Sequence, residues 1–349
     1  MGPATQRDAA ERTLSTAQKL QANAPDTLLA QAYFQYWVLR DYEAAKVTFG
    51  LVRKMLPGSS EVPKALARIT RRQGHWDESI AYCKQSLALD PLNFDSLTEC
   101  GATYRMLRQF PAALNIYDRA LTTRPNDPYT LACEAELYQA QGDLEQAGKL
   151  LAGVPANTWL AGILPRINQL ILERHYGEAI RLLEATLTEF ARRVALGWIG
   201  KYVICRCPWL WSSSWHTIVQ AREPLLKRRS ARWKRSAKRN QITRLLVALL
   251  SQTYAVLGEK DAALREAERA VMLLPSAQDA VSGPMFEENL ARVQVRCGEK
   301  DRSISALQRL LLVPYGYTPL TPALLRLDPM FDPLRNDPRF QKLCEEKQP

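Results

Sequence analysis

The sequence predicts an all-α fold built from helix-turn-helix repeats, and three observations carry that prediction. The 349 residues include only 16 glycines, and residues that favour helices, such as Ala, Leu, Gln, Glu and Arg, dominate most windows. The chain is similar to itself at an offset of 34 residues. Within each period, apolar residues recur at helical spacing and a proline closes the period.

Four segments define the 34-residue period: RDYEAA (40–45), GHWDES (74–79), RQFPAA (108–113) and GDLEQA (142–147). The same register aligns three prolines, Pro57, Pro91 and Pro125. Each period predicts two antiparallel helices, and the second ends before the proline because proline cannot extend a helix. Three units with looser spacing follow, at HYGEA (175–179), GEKDAA (258–263) and GEKDRS (298–303).

Small residues recur where the second helix of each pair is expected to cross the first. A side chain much larger than a methyl group at this point would push the helix axes beyond the usual spacing of ~8–10 Å. We therefore assign a structural role to the residues at these repeat positions: Ala45, Ser79, Ala113, Ala147, Ala179 and Ala263.

This pattern resembles the tetratricopeptide family, whose signature is a small residue and aromatics at these spacings in a 34-residue helix-turn-helix. The resemblance implies a right-handed α-solenoid that binds a protein or peptide in a concave groove lined by the first helices. It also implies a scaffold with no enzymatic activity. Chaperone-binding members hold a terminal carboxylate with Lys/Asn pairs, and that clamp is absent here because Glu99, Tyr129 and Cys133 stand at equivalent places.

The repeats divide the chain into five expected parts. A half-repeat helix, expected to lack its partner helix, precedes the array, which suggests the hypothesis that the chain is the C-terminal part of a longer parent. The parts are the half-repeat helix at 1–25, tetratricopeptide repeats 1–5 at 26–193, an atypical basic Trp-rich segment at 194–243, further repeats at 244–314 and an Asp-Pro-rich helical cap at 315–349.

The C-terminal cap contains three Asp-Pro steps, at 328–329, 332–333 and 337–338. Asp as N-cap with Pro in the first turn is expected to start a helix at each step, so that short helical turns cap the last repeat. The tail is similar to that of arrays at the C-terminal end of bacterial multidomain regulators, where a nucleotide cyclase, a kinase or a winged-helix module precedes the array. An alternative function is therefore the regulatory or sensor part of such a signalling or transcriptional protein.

The net charge of +11 is concentrated in residues 191–240, which hold 13 Lys/Arg and a single acid, Glu223. Five of the eight tryptophans also lie there. Three interpretations remain open: a nucleic-acid surface with Trp233 stacking on bases, a cationic insertion that touches membranes, and a repeat read out of frame. The residue usage favours the third, so nucleic acid is not the partner we expect.

Cationic residues on the predicted first helices line the candidate ligand groove. We expect Lys64, Arg68, Arg71 and Arg72 at exposed positions of the second unit, with Arg105 in the third. Five cations on one groove favour an acidic or carboxylate-bearing peptide. The alternative is a solvated charged face without a ligand.

No motif for catalysis, for a cofactor or for a metal ion emerges from the sequence, and we expect no small-molecule substrate. The three histidines lie in predicted turns or in the basic segment, and Cys205 and Cys207 are too weak a pair to indicate a metal. The seven cysteines are scattered, which favours a reducing, cytoplasmic compartment. The uncharged runs are shorter than the ~18–20 residues of a membrane span.

Overall fold

The computed structural model describes residues 3–155, 160–179, 181, 182, 185, 243–316 and 318–346. These residues form helices and connecting turns and contain no strand, which confirms the predicted all-α fold of helix-turn-helix repeats. The basic segment predicted at 194–243, with its three interpretations, lies outside the described residues except for Thr243. The chain divides into two compact units.

The first unit comprises Met1–Tyr104 and Pro111–Pro125. Its core consists of rings and branched side chains that are fully buried between successive helix pairs, among them Tyr36, Phe49 and Ile69. A π-helical turn, Gln35–Leu39, continues the second helix. The helices are α1 (Pro3–Gln21), α2 (Pro25–Phe34), α3 (Tyr42–Met55), α4 (Glu61–Arg72), α5 (Trp76–Leu89) and most of α6 (Phe94–Met106) and α7 (Phe110–Thr123).

The second unit comprises Arg105–Phe110 and Asn126–Pro349. Its helix pairs follow the same plan, and the described residues 176–179 after the fifth first-helix are also helical. Asp127 and Asp143 cap two of the helices by accepting hydrogen bonds from backbone amides. The helices are α8 (Pro128–Gln141), α9 (Leu144–Ala152), α10 (Leu160–Leu172), α11 (Thr243–Val256), α12 (Lys260–Leu273), α13 (Gly283–Arg296), α14 (Lys300–Leu312), α15 (Pro322–Leu327) and α16 (Pro338–Glu345).

A left-handed residue reverses the chain between the two helices of every described pair. In five repeats the next amide donates to the carbonyl five residues earlier, as His75 does to Thr70 over 2.9 Å, which satisfies a carbonyl at the helix end. Four of these residues are glycines, which adopt a positive φ at little cost, and three are arginines. The positions, with φ between 57° and 89°, are Arg40, Gly74, Arg108, Gly142, Arg174, Gly258 and Gly298.

The helix crossing in the third repeat is closed by a glycine beneath an aromatic ring. A Cβ atom added at Gly101 of α6 would lie 2.4 Å from the ring of Tyr117 on α7, which is fully buried. The small residues assigned to the repeat positions are also at most 2% exposed, whereas the prolines that follow the second helices are exposed. Side-chain volume at the crossing therefore sets how closely the paired helices approach.

The C-terminal cap belongs to the core of the second unit. Leu325, Phe331, Leu334 and Phe340 are buried together with side chains of α14. The expectation that each Asp-Pro step starts a helix is wrong at Asp332, because Asp332-Pro333 lies inside the 3₁₀ helix Pro329–Leu334. Asp328 and Asp337 do cap helices by accepting amide hydrogen bonds, and Thr321 with Pro322 starts α15 in the same way.

We expect Gly101→Ala to destabilise the chain by ~1–3 kcal/mol, because the new methyl group has no room beside Tyr117. Gly50→Ala is the matched control, since Gly50 lies within α3 and a Cβ there would meet nothing within 4 Å. That substitution should stabilise α3 by up to ~1 kcal/mol through helix propensity. Urea denaturation of both variants checks this, and equal effects would contradict the proposed crossing.

Candidate functional site

The predicted groove cations do not lie on an open surface. Lys64, Arg71 and Arg105 are only 6%, 8% and 4% exposed, so the expectation that these positions are exposed is wrong for them. Arg68 and Arg72 are partly exposed. The three cations are buried because carboxylates pair with them: Glu61 one turn earlier on the same helix as Lys64, and Glu99 and Glu136 on the first helix of the next repeat. Their role in binding a ligand stays a prediction.

Glu99 of α6 holds two of the cations of α4. Its two carboxylate oxygens each accept a hydrogen bond over 2.7 Å, one from Arg68 and one from Arg71. Arg71 also donates to the hydroxyl of Thr103 over 3.1 Å. Burial by itself would raise the pKa of Glu99, but the two guanidinium groups outweigh it and hold that pKa well below its usual range. This arrangement is an internal carboxylate held by two arginines.

Lys64 and Arg72 extend the polar face along α4. Glu61 lies one turn before Lys64, and its carboxylate pairs with the Lys64 ammonium over 2.6 Å. Glu61 also accepts a hydrogen bond from the hydroxyl of Tyr33 on α2. Arg72 donates to the Tyr36 hydroxyl over 3.0 Å. The first helices α2, α4 and α6 are thus linked by hydrogen bonds among their polar side chains.

Arg105 forms a separate ion pair in the second unit, with Glu136 of α8. The hydroxyl of Thr318, in the extended stretch before α15, donates to the same carboxylate over 3.4 Å. Burial is the largest influence on Glu136 and raises its pKa in spite of Arg105. The pKa values of the two buried carboxylates therefore shift in opposite directions, because two guanidinium groups outweigh burial at Glu99 and one does not at Glu136.

A segment of the chain itself lies against the first-helix face of α8. Arg108, one of the left-handed turn residues, donates to the backbone carbonyls of Leu310, Val313 and Leu320 over 2.8–3.1 Å. The Thr321 hydroxyl donates to the carbonyl of Ala140, in the last turn of α8, over 2.6 Å. The stretch 313–321 has no helical structure where it is described. This non-helical stretch is thus held through two of its backbone carbonyls and two of its hydroxyl groups.

Arg174 and Asp332 form a further contact of the C-terminal cap. The Arg174 guanidinium donates two parallel hydrogen bonds, of 2.9 and 3.0 Å, to the Asp332 carboxylate. These bonds raise the pKa of Arg174 and lower that of Asp332. The pair is exposed to solvent, so it orients the cap and adds little to stability.

Sequence reasoning missed the roles of two residues. Arg108 holds the non-helical stretch but was predicted only as part of the turn motif, and Glu99 holds Arg68 and Arg71 but was noted only as a departure from the carboxylate clamp. The available signal was an arginine where other repeats have the turn glycine, because such a residue accepts backbone strain and needs a compensating contact. Among the described residues no group of three metal-ligating side chains occurs, and none of the described helices is long and apolar enough to cross a membrane.

A model of the tetratricopeptide repeat family matches residues 64–93, which contain most of α4 and all of α5. No curated protein matched the sequence. Among solved structures, a tetratricopeptide repeat protein from Parabacteroides merdae is similar at 14% identity and a TM-score of 0.44, over 92% of this chain and 97% of that one.

Two other solved structures are similar over different shares of the chain. YrrB, described as a tetratricopeptide repeat protein with an unusual peptide-binding site, matches 43% of this chain and 78% of its own at 14% identity and a TM-score of 0.35. The Cut9–Hcn1 hetero-tetramer of the anaphase-promoting complex contains a chain that matches 96% of this one and 58% of its own, at 12% identity and a TM-score of 0.49.

We expect Glu99→Gln to destabilise the chain at neutral pH by on the order of 2 kcal/mol, because two arginines lose their carboxylate while part of the site still reaches water. The low pKa of Glu99 means that its contribution is present above its unfolded pKa, about 4.5, and is lost as the pH falls through the lower folded pKa. The variant and the natural chain should therefore converge in acid. Urea denaturation as a function of pH measures this.

Glu136→Gln is the matched control for that experiment. The raised pKa of Glu136 means that its contribution is present below about 4.5 and declines as the pH rises through the folded value. A glutamine does not titrate, so this substitution should be less costly at neutral pH than Glu99→Gln. Equal losses at neutral pH would contradict the difference between the two sites.

We expect Arg108→Gly to destabilise the chain by at least ~3 kcal/mol, because three charged hydrogen bonds to backbone carbonyls are lost together. Arg40→Gly changes a turn residue with nearly the same φ, whose side chain makes no hydrogen bond among the described residues. Relief of left-handed strain, about 1 kcal/mol, should leave that variant as stable as the natural chain or slightly more stable. Thermal unfolding of the two variants measures the difference. If Arg108→Gly leaves the unfolding temperature unchanged, the hydrogen bonds of Arg108 contribute little to stability.

Proposed function

We propose that this chain is a non-enzymatic scaffold that binds an extended segment of a partner protein along the faces of its first helices. The observation that carries the proposal is the chain's own non-helical stretch, 313–316 and 318–321, beside α8. Arg108 donates to its Val313 and Leu320 backbone carbonyls, which every peptide possesses. Thr318 and Thr321 of the stretch contact α8 through their hydroxyls. A surface of this kind accepts different sequences and takes its selectivity from side chains around it.

We propose that the first unit selects partner segments that carry acidic side chains. Arg68 and Arg72 are the two predicted groove cations that remain partly exposed, and they lie one turn apart on α4. A carboxylate on a partner would add a charge-assisted hydrogen bond to either guanidinium group. Lys64 and Arg71 contribute to this site through the positive potential around it and through the ion pairs that hold their neighbours in place. Arg105 is proposed to play the same part in the second unit.

The biological setting is a further part of the proposal. The tail resembles that of arrays in bacterial regulators, which supports a role as the interaction part of a bacterial signalling or transcriptional protein. The described cysteines are free thiols, which fits a reducing compartment such as the cytoplasm. The scaffold is proposed to act on proteins and not on nucleic acid, because at least four of the five candidate groove cations are paired with carboxylates of the chain itself, which reduces the positive charge available to a row of phosphates.

Peptide binding to the full chain tests the proposal. A labelled peptide rich in Asp and Glu should bind more tightly than the same peptide with Asn and Gln in their place, and salt should weaken the binding. Arg68→Ala should weaken the binding of the acidic peptide by roughly tenfold, which corresponds to about 1.4 kcal/mol of binding free energy. Fluorescence polarisation measures each affinity.

Arg53→Ala is the matched control, because Arg53 is an exposed cation on α3 outside the first helices. It should leave the affinity unchanged. Equal affinity for the acidic and neutral peptides would overturn the proposed selectivity. Absence of binding to any peptide, with helicity preserved, would overturn the scaffold function at these faces.

A further inference from the structure

Two thiols meet at the contact between the second and third repeats. Cys83 lies on α5 and Cys100 lies on α6, and each is 1% exposed. Both side chains belong to one apolar cluster that also contains Leu97 and Ile116. The Cys83 Sγ contacts Thr103, which lies one turn after Cys100 on the same face of α6. Both sulfur atoms are free thiols. The fold therefore brings together two cysteines that are separated in sequence by the whole α5–α6 connection.

Polar groups beside the pair distinguish one thiol from the other. The Cys83 Sγ lies 3.8 Å from the Thr103 hydroxyl, which in turn accepts a hydrogen bond from Arg71 over 3.1 Å. Interaction with the Cys100 thiol lowers the pKa of Cys83 against the opposing effect of burial, and Thr103 and Arg71 act in the same lowering direction. The same interaction, together with burial, raises the pKa of Cys100.

We infer that Cys83 and Cys100 are a redox site that closes reversibly to a disulfide when the chain meets a small hydroperoxide. The inference rests on the shared buried cluster of the two thiols on adjacent helices and on the Thr103 hydroxyl, which contacts Cys83 and lies one turn after Cys100. It is independent of peptide binding. Disulfides of this kind in reducing compartments are transient and respond to oxidants.

The chemistry balances with hydrogen peroxide as the oxidant. The Cys83 thiolate attacks one peroxide oxygen, the O–O bond breaks, and the departing hydroxide takes a proton to become water. The sulfur of Cys100 then attacks the Cys83 sulfenic acid, the S–O bond breaks, and a second water leaves with the proton of Cys100. Two thiols and one peroxide thus give one disulfide and two waters. A dithiol reductant reverses the change by exchange.

Burial determines which oxidant reaches the pair. Peroxide is close to water in size and can enter during brief separations of α5 from α6, whereas a tripeptide disulfide such as oxidised glutathione needs a much larger opening. Reaction should therefore be fast with peroxide relative to glutathione disulfide. The half-buried Cys297 is more accessible and serves as an internal measure of general oxidation.

The disulfide would connect the second helix of one repeat to the first helix of the next. It would form beside the site at which Arg68 and Arg71 hold Glu99, since Cys100 directly follows Glu99 in α6. A covalent bond there fixes the spacing of α5 and α6 and restricts the unfolded chain. Oxidation should therefore raise the urea midpoint of unfolding, and reduction should return it.

The test is peptide mapping of the full chain after treatment with hydrogen peroxide. Remaining thiols are alkylated in denaturant before digestion, and mass spectrometry then looks for the peptide of Cys83 joined to that of Cys100, lighter by two hydrogens and separated by dithiothreitol. We expect this link to form in folded protein. Protein oxidised in urea until it has lost the same number of thiols should not show it as a preferred pairing. If Cys83 and Cys100 are both recovered in the alkylated form while Cys297 is oxidised, the inference is wrong.

Variants keep the result specific. Cys83→Ser and Cys100→Ser should each abolish the link, and circular dichroism verifies that they remain helical. Cys133→Ser is the matched control, because Cys133 is a comparably buried cysteine on α8 and its loss should leave the link intact. The experiment on the natural chain decides the question by itself if either serine variant fails to fold. A link that involves Cys133 instead would overturn the proposed pairing.

The role of the neighbouring hydroxyl can be measured separately. Thr103→Val removes the hydroxyl that contacts Cys83, and we expect disulfide formation to slow several-fold. Thr70→Val is the control, because the Thr70 hydroxyl is also buried but donates only to the carbonyls of Leu66 and Ala67 in its own helix. Equal rates in the two variants would show that Thr103 does not assist the thiol.

Discussion

The reversal of the chain at a left-handed residue is the constraint on which the repeats depend. Each described first helix is followed by such a residue, and the second helix begins two residues after it. In five repeats a hydrogen bond across the left-handed residue closes the turn. Without that reversal, the small residues of the second helix would not face the first, and the buried aromatic rings would have no pocket. The packing of the helices within each repeat thus depends on one left-handed residue.

Arginine replaces glycine at three of these turns, and two of the three compensate with contacts to the C-terminal part of the chain. A non-glycine residue in this conformation is strained by about 1 kcal/mol. Arg108 binds three backbone carbonyls, and Arg174 binds the Asp332 carboxylate. The same position therefore serves first as a turn and second as a side chain that fixes the C-terminal cap, whose apolar residues complete the core of the second unit.

Charge on the first helices is largely neutralised within the chain. Glu99 holds two arginines of the preceding repeat, and Glu136 holds Arg105. A buried ion pair contributes little net stability, but it fixes the relative register of the helices that carry it. For a scaffold this matters, because partially exposed cations such as Arg68 are then presented in a defined geometry. The proposed thiol pair, Cys83 and Cys100, lies at the contact between the second and third repeats, next to Glu99. A disulfide there would form where the register of these helices is set.

The sequence by itself determined the helix pairs, their 34-residue period and the small residues at the crossings, because these follow from local propensity and from a repeated pattern that every unit shares. It also located the caps at Asp328 and Asp337. The tertiary structure alone decided which cations are exposed, that 313–321 lies on α8, and that Cys83 meets Cys100. Those features depend on residues from different repeats, up to about 200 positions apart for Arg108 and Leu320, and no local pattern encodes such distances.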